Sequence, residues 1–318
     1  MTKKWIITGA ALLAAGAVIC GASFAALGFD WKELNTAEQD TNTYQVSDEF
    51  TGISIDTDID DITFLPSKDG RCSVVCVEEK NRPHSVTVEG GTLRIESSKD
   101  RRTFDWHFMT VTQAYTVTVY LPETEYEDLH IISDSGDVQI PKELSFENIT
   151  AELDTGDISC FASVRESVSL KTDTGDINAS DISAESMDLR SDTGDIKLSG
   201  IELGGSFYSE EDTGDVKIEG MTCESFTSKG DTGDLDMKGV KVSQKLALDR
   251  DTGDITFDGC DAEELLITTD TGDVRGSLLT EKVFITKTDT GDVNVPDTTS
   301  GGRCEIITNT GDINIKVQ

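Results

Sequence analysis

Two aspartates that flank a glycine recur along this chain as the motif Asp-Thr-Gly-Asp, for example at residues 173–176. Carboxylates arranged in this way could do two kinds of chemistry. A pair that shares one proton across a cleft is the active site of an aspartic protease, and a cluster of carboxylate oxygens binds calcium. The protease interpretation fails because the motif is strung along the chain in many copies. Calcium binding remains as the chemistry to be tested.

The motif returns at a fixed spacing. Its glycine occupies ten positions that lie 19 or 20 residues apart: Gly136, Gly156, Gly175, Gly194, Gly214, Gly233, Gly253, Gly272, Gly291 and Gly311. A period of this length is typical of stacked repeat proteins. The position two residues after the glycine is aliphatic in all ten copies, and the position seven before it is apolar in all ten. The apolar positions alternate in steps of two, which is the periodicity of β-strands.

These columns predict an all-β fold, a single-stranded β-solenoid (β-helix) with about ten coils of 19–20 residues. One copy is too short to enclose a core, but stacked copies share a continuous core. Each coil is expected to contain two short strands joined at the motif and a third short face. With strands about 4.8 Å apart, ten coils form a rod of about 45–50 Å.

The motif itself is predicted to be the turn between the two strands. Glycine adopts positive φ without steric cost, and an aspartate that begins a turn can accept a hydrogen bond from the backbone two residues on. The first aspartate is therefore expected to brace the corner. In-register carboxylates of adjacent coils repel by about 1 kcal/mol in water. Backbone N–H donors, solvent screening, partial protonation or bound cations must offset that repulsion.

A turn with screened charges is the preferred interpretation, and a calcium ladder is the alternative. The calcium hypothesis uses both aspartates of eight copies: Asp154, Asp157, Asp173, Asp176, Asp192, Asp195, Asp212, Asp215, Asp231, Asp234, Asp251, Asp254, Asp270, Asp273, Asp289 and Asp292. Against it, the spacing differs from that of calcium-binding β-rolls and of EF-hands. The sequence indicates no other cofactor.

The N-terminal segment is uncharged from Trp5 to Phe29, which is long enough to cross a hydrocarbon core of about 30 Å. Two lysines precede it and acidic residues follow it, so the positive-inside rule places the rest of the chain outside the cytoplasm. A signal cleaved near Ala25 is the alternative. The predicted organisation is a cytoplasmic N-terminus at 1–4, a transmembrane helix at 5–29, a stalk at 30–43, irregular β coils that cap the rod at 44–128, and the repeats at 129–318.

Three segments depart from the regular repeat. Residues 53–64 align with 168–179, with Asp60 where Gly175 would be, and predict a degenerate coil. Residues 101–108 predict a loop with a basic and aromatic tip. The chain stops on a strand at 313–318, so an open final coil is expected there, with unpaired backbone groups for self-association or for a partner.

Charge, cysteines and histidines limit the function classes. The net charge is −34, which disfavours nucleic acid as a partner because binding it needs a basic stripe. Cys20 lies in the predicted span, and the other six cysteines are predicted to be buried free thiols, as in a Gram-positive surface protein. Cys72 and Cys76 lack metal-ligand spacing. The three histidines lie outside the repeats or at their very start, which argues against an enzyme.

The span that ends Gly-Phe-Asp-Trp, the degenerate coil DTDIDDI at 56–62 and the serial TDTGDI repeats together resemble a known family. This is the bacterial membrane-anchored family usually labelled "putative adhesin". The resemblance covers nearly the whole chain. It implies a β-solenoid on the cell surface without catalytic residues, acting in adhesion or in envelope-stress regulation. The expected function is a non-enzymatic, single-pass module that binds an envelope polymer or protein; a component of an envelope-stress response is the alternative.

Overall fold

The computed structural model describes residues 39–98 and 115–318, and within these ranges the chain forms strands and turns only. The strands of the N-terminal part are β1 (Gln39–Val46), β2 (Gly52–Thr57), β3 (Asp60–Pro66), β4 (Cys72–Glu79), β5 (Ser85–Glu89), β6 (Thr92–Glu96) and β7 (Tyr115–Leu121). The strands of the repeats are β8 (Glu125–Ser135), β9 (Val138–Ile140), β10 (Ser145–Thr155), β11 (Ile158–Cys160), β12 (Ser163–Thr174), β13 (Ile177–Ser180), β14 (Ser183–Ala184), β15 (Ser186–Thr193), β16 (Ile196–Leu203), β17 (Ser206–Thr213), β18 (Val216–Thr232), β19 (Leu235–Thr252), β20 (Ile255–Cys260), β21 (Glu264–Thr271), β22 (Val274–Leu278), β23 (Lys282–Thr290), β24 (Val293–Asn294), β25 (Gly302–Thr310) and β26 (Ile313–Val317).

Each repeat folds as one coil of a β-solenoid, as predicted. A strand runs up to the motif, a second strand leaves it, and a connecting segment leads to the next coil. Strands of adjacent coils pair in parallel and in register, so that Val168 of β12 lies opposite Ile149 of β10 and Met187 of β15. Equivalent positions of the repeat therefore stack on one another along the whole solenoid.

The predicted apolar columns form the core. The side chain two residues after the glycine is buried in every copy except the one at Val293, which is 45% exposed. The column seven residues before the glycine is likewise buried except at Phe284, which is half-buried. Both exceptions belong to the coil β23–β24. Within residues 39–98 and 115–318, that coil has a neighbour on one side only.

The core also contains a buried ion pair between coils of the repeat. The guanidinium of Arg250 contacts the carboxylate of Glu211 two coils away, and both side chains are at most 2% exposed. Gly230 occupies the coil between them, and a Cβ there would overlap both side chains. The missing side chain at Gly230 therefore leaves the space in which the two charges meet.

The N-terminal end of the solenoid is closed by antiparallel strands. The predicted degenerate coil, β2–β3, lies between coil β8–β9 and coil β6–β7, and pairs in parallel with both. Strand β4 then pairs antiparallel with β7 and β1, and β5 pairs antiparallel with β6. The coil β2–β3 precedes β6–β7 in the sequence but is second in the stack. The cap covers the outermost coil, β6–β7.

At the other end the order of the coils is also exchanged, and the prediction of an open last strand is wrong. Strand β25 pairs with β21 on one side and β23 on the other, and β26 pairs with β22 and β24. The last coil in the sequence is thus internal. The coil at the end is β23–β24, whose Val283 and Ile285 are exposed. Any self-association through an open coil would have to use β23–β24.

Several predicted boundaries shift or fall outside the described residues. Strand β1 begins at Gln39, inside the predicted stalk at 30–43, and the boundary predicted between 128 and 129 falls within β8. In residues 39–98 and 115–318 no helix is long and apolar enough to cross a membrane. The predicted span at 5–29 and the predicted loop at 101–108 lie outside those ranges. All six cysteines within them are free and buried, as predicted.

Candidate functional site

The Asp-Thr-Gly-Asp turns stack into one edge of the solenoid. At each turn except that of Gly291, the glycine N–H donates to the threonine carbonyl of the adjacent coil, for example Gly156 to Thr174 at 2.8 Å. The aliphatic residue after the motif donates in the same way, for example Ile158 to the carbonyl of Asp176 at 2.9 Å. The N–H of the second aspartate lies between these two donors in the sequence and has no backbone carbonyl as its acceptor.

The second aspartate supplies the acceptor for that N–H. The Oδ1 of Asp157 accepts the N–H of Asp176 in the next coil at 2.8 Å, and Asp176 serves Asp195 in turn. The same bond, between 2.6 and 3.0 Å, links every adjacent pair in the spatial order Asp61, Asp137, Asp157, Asp176, Asp195, Asp215, Asp234, Asp254, Asp273, Asp312 and Asp292. We call this set the aspartate ladder. It also includes Asp61 of the degenerate coil.

The ladder answers the problem of stacked like charges. Each carboxylate except that of Asp292 faces a backbone N–H dipole, and basic side chains bridge some neighbours: Lys197 Nζ lies 3.1 Å from Asp195 and 3.4 Å from Asp176. Arg275 contacts Asp254 and Asp273 in the same way. The hydrogen bond from the Asp215 N–H, together with Lys197, holds the pKa of Asp195 below its ordinary value. Hydrogen bonding to the charged form stabilises it, so the charges are tolerated.

Glycine is required at this edge for two reasons. The motif glycines have φ between +125° and +157°, a positive value as predicted. In addition, a Cβ on any motif glycine from Gly156 onwards would lie closer than 3.0 Å to the carbonyl of the equivalent glycine in the adjacent coil. The coils therefore approach each other at this edge through backbone atoms alone, which positions each aspartate to reach the next coil.

The first aspartate of the motif does not brace the corner, and that prediction is wrong. The N–H that it was expected to bind belongs to the glycine, which donates to the next coil instead. The first-aspartate column is exposed in every copy except Asp173, which is half-buried. Five of its members form no hydrogen bond or ion pair within the described chain: Asp154, Asp192, Asp212, Asp231 and Asp251. We call this column the outer aspartate column. It comprises the first aspartate of nine copies, from Asp134 to Asp289, and Asn309 of the tenth.

The residues of the calcium hypothesis thus lie in two parallel columns with different environments. One oxygen of each ladder carboxylate except that of Asp292 is already occupied by a backbone N–H. Within the described residues, neither column forms a group of three carboxylates whose ligand oxygens lie within 4.8 Å of one another. The calcium ladder stays a prediction, and an ion there would have to use the outer column and the second oxygen of the ladder carboxylates.

A second cluster of titratable groups lies at the junction of the cap and the coil β2–β3, and no motif in the sequence indicates it. His84 is buried between two carboxylates, with Nδ1 2.5 Å from Glu78 and Nε2 3.1 Å from Asp60. Glu78 also accepts hydrogen bonds from Asn42 at 2.6 Å and from the Tyr44 hydroxyl at 3.0 Å. Asp60, Glu78 and His84 come from separate segments, so only the fold brings them together.

Burial and charge act in opposite directions on this cluster. Burial alone lowers the pKa of His84, but the hydrogen bonds and charges of Asp60 and Glu78 outweigh it and raise that pKa above its ordinary value. Burial alone raises the pKa of Glu78, and the four hydrogen bonds that it accepts lower it. Because both imidazole nitrogens face carboxylate oxygens, the arrangement fits a protonated His84 that donates to both side chains.

Comparisons with known proteins agree with the resemblance. No curated protein matches the chain. Among solved structures it is similar to a "putative adhesin" of Parabacteroides distasonis, with 12% identity over 88% of this chain and 98% of the other, at a TM-score of 0.44. A "putative adhesin" of Bacteroides fragilis has 13% identity over 88% and 97%, at 0.40. A "putative lipid binding protein" of P. distasonis has 14% identity over 89% and 98%, also at 0.40.

At these identities and TM-scores the solved structures carry no argument about function. The family evidence is stronger, because a family model matches residues 50–209 and 205–318, which together cover most of the chain. The chain belongs to the Toastrack family, DUF4097.

Proposed function

We propose that this chain is a non-enzymatic binding module, anchored in the cell membrane by residues 5–29 and displayed outside the cytoplasm. In this proposal the solenoid contacts a cell-envelope polymer or protein through the outer aspartate column. Family membership supports a solenoid of this kind. The adhesin names of the solved structures agree with the proposal but are not used as evidence for it.

One observation carries the proposal: the repeats keep the first aspartate although the fold does not use it. Ten copies within one chain can be compared as ten variants of one coil. The glycine is retained because a side chain would overlap the adjacent coil, and the second aspartate because it satisfies a backbone N–H. The first aspartate has no comparable contact in most copies, yet nine of the ten copies retain it. A residue kept without a structural need suggests a role in binding.

The chemistry of the column suits a partner with repeating groups. Stacked coils place its carboxylates about 4.8 Å apart in a row. Exposed carboxylates accept hydrogen bonds from hydroxyl groups and attract ammonium groups. Each contact is weak at an exposed site, but many contacts along one row act together. The net charge of −34 adds a long-range attraction to cationic surfaces, which salt screens beyond about 8 Å at physiological ionic strength.

The proposal is tested by binding the full chain, in detergent, to isolated cell-wall fragments and, separately, to membranes. The variant replaces Asp192, Asp212, Asp231 and Asp251 by Asn, and we expect it to bind at least about tenfold more weakly, a loss of about 1.4 kcal/mol. A charge-matched control replaces the exposed Glu166, Glu185, Glu224 and Glu263 by Gln on another edge of the solenoid.

The control decides how the result is interpreted. Weaker binding of the aspartate variant alone supports the outer column as the contact surface. An equal loss in both variants would reduce the interaction to net charge, and unchanged binding of the aspartate variant would overturn the proposal. If the wild-type chain binds neither walls nor membranes, the envelope-stress alternative becomes the better hypothesis, and deletion of the gene should then alter the stress response.

A further inference from the structure

The buried cluster beneath the cap contains the three ligand types that zinc prefers. Cys76 Sγ, a carboxylate oxygen of Glu78 and an imidazole nitrogen of His84 all lie within 4.8 Å of one another, and all three residues are buried. Thiolate sulfur, imidazole nitrogen and carboxylate oxygen each bind zinc in proteins. Cys76 and Glu78 lie two residues apart on the same face of β4. The turn after β4 brings His84 next to both side chains.

The groups around these three side chains are those of a metal site. Asp60 holds Nε2 of His84, which leaves Nδ1 directed at Glu78. A carboxylate on the far nitrogen of a histidine is the usual partner of a zinc-bound imidazole, because it fixes the tautomer and the orientation of the ring. Asn42 and Tyr44 hold one oxygen of Glu78, so that its other oxygen faces His84.

We propose that Cys76, Glu78 and His84 bind a zinc-class divalent ion, with Asp60 orienting His84. The ion replaces two protons, that of the Cys76 thiol and that of His84 Nδ1, so the net charge of the buried cluster does not change. Zinc binds its ligands at about 2.0–2.3 Å, so the Nδ1 and Oε2 atoms must move apart by about 1 Å. The ion would tie cap strand β4 to the turn before β5, next to Asp60 at the first residue of β3.

Three protein ligands leave the fourth tetrahedral position of a zinc ion to a water molecule. The role of this site would nevertheless be structural. Its ligands are buried, so the ion would stabilise the closed end of the solenoid rather than activate a substrate. The proposal is independent of the outer aspartate column, because the two sites share no residue. Failure of one therefore leaves the other unaffected.

The experiment is an equilibrium titration of the metal-free full chain with Zn²⁺, followed by metal analysis, and with Co²⁺ as a spectroscopic probe. We expect one ion per chain and, with Co²⁺, the near-ultraviolet charge-transfer band of a thiolate ligand. Cys76→Ser and His84→Gln should each weaken binding by at least about a hundredfold, and Asp60→Asn by about 10- to 100-fold. Zn²⁺ should raise the thermal midpoint of the wild type and not that of Cys76→Ser.

Cys72→Ser is the matched control, because Cys72 is buried on the same face of the same strand but lies outside the cluster. This variant should bind as the wild type does. If Cys72→Ser loses the ion and Cys76→Ser keeps it, or if the wild type binds no ion, the proposal is overturned. Circular dichroism of the metal-free variants separates loss of the ligand from loss of the fold, and a folded His84→Gln chain with wild-type affinity would also contradict it.

Discussion

The two aspartates of each motif are three residues apart in the sequence and differ completely in environment. The ladder aspartate accepts a backbone N–H of the next coil, whereas the outer aspartate faces solvent and in most copies contacts nothing in the described chain. Chemically identical side chains, equally repeated, therefore serve different purposes. Repetition alone shows that a residue matters, and the contacts show whether it matters for folding or for something outside the molecule.

The largest effect is expected from breaking the close approach on which the ladder depends. Gly233→Ala places a methyl group against the Gly214 carbonyl at a φ of +143°. We expect a loss of at least about 3 kcal/mol in the free energy of unfolding, from backbone strain and steric overlap combined. Denaturant unfolding of the full chain measures it.

Gly239→Ala separates the two causes. Gly239 also has positive φ, +65°, but the nearest atom to its added Cβ is 4.0 Å away. Strain alone should cost about 1–2 kcal/mol there. Equal losses in the two variants would contradict the claim that backbone contact between coils fixes the glycine.

A direct test of the comparison sets Asp215→Ala against Asp212→Ala, two residues of one motif. Asp215→Ala leaves the Asp234 N–H without its acceptor, and we expect a loss of about 1–2 kcal/mol. Asp212→Ala should change stability by less than about 0.5 kcal/mol, as at other exposed sites. Chemical denaturation measures both, and hydrogen exchange at the Asp234 amide should accelerate only in the first variant. Similar losses in both would end the distinction between the columns.

The exchanged coil order sharpens the comparison at the end of the ladder. Asp312 accepts the N–H of Asp292, but Asp292 has no further coil to serve. Asp312→Ala should therefore cost about 1 kcal/mol, and Asp292→Ala nearly nothing. If the chain stacked in sequence order, the neutral position would be Asp312 instead. Thermal melts of the two variants distinguish the two orders.

The smallest effect is expected from divalent cations at the aspartate columns. Because one oxygen of each ladder carboxylate except that of Asp292 is occupied, we expect calcium, magnesium and chelator to give the same thermal midpoint at matched ionic strength, since screening then acts equally in all three. The comparison should be made on Cys76→Ser, which removes the proposed zinc site. A rise specific to calcium would support the calcium ladder and give the outer column a metal-binding role.

Much of the fold could be predicted because the same pattern of residues recurs in ten copies. The glycine column, the aliphatic column two residues later and the alternation between them require a stack of β coils, and Asp60 could be aligned with Gly175 by the same pattern. The candidate site could be predicted only in part. The sequence identified both aspartate columns, but the first aspartate was predicted to accept the hydrogen bond at the turn, whereas the second one does. The N–H of Asp176 is seen to need an acceptor only once its neighbours are known to donate to the next coil.

What the sequence alone determined is therefore what depends on local periodicity: the secondary structure, the inward and outward positions, and the turn. The tertiary structure decided what depends on the choice among equivalent neighbours. Coils β23–β24 and β25–β26 carry the same pattern, so nothing local shows which of them stacks on β21–β22. His84 and Glu78 follow no period at all, and they meet Asp60 only because the cap strands fold back onto the coil β2–β3. A repeat specifies how its units fit together, and the order in which they meet is set by long-range packing.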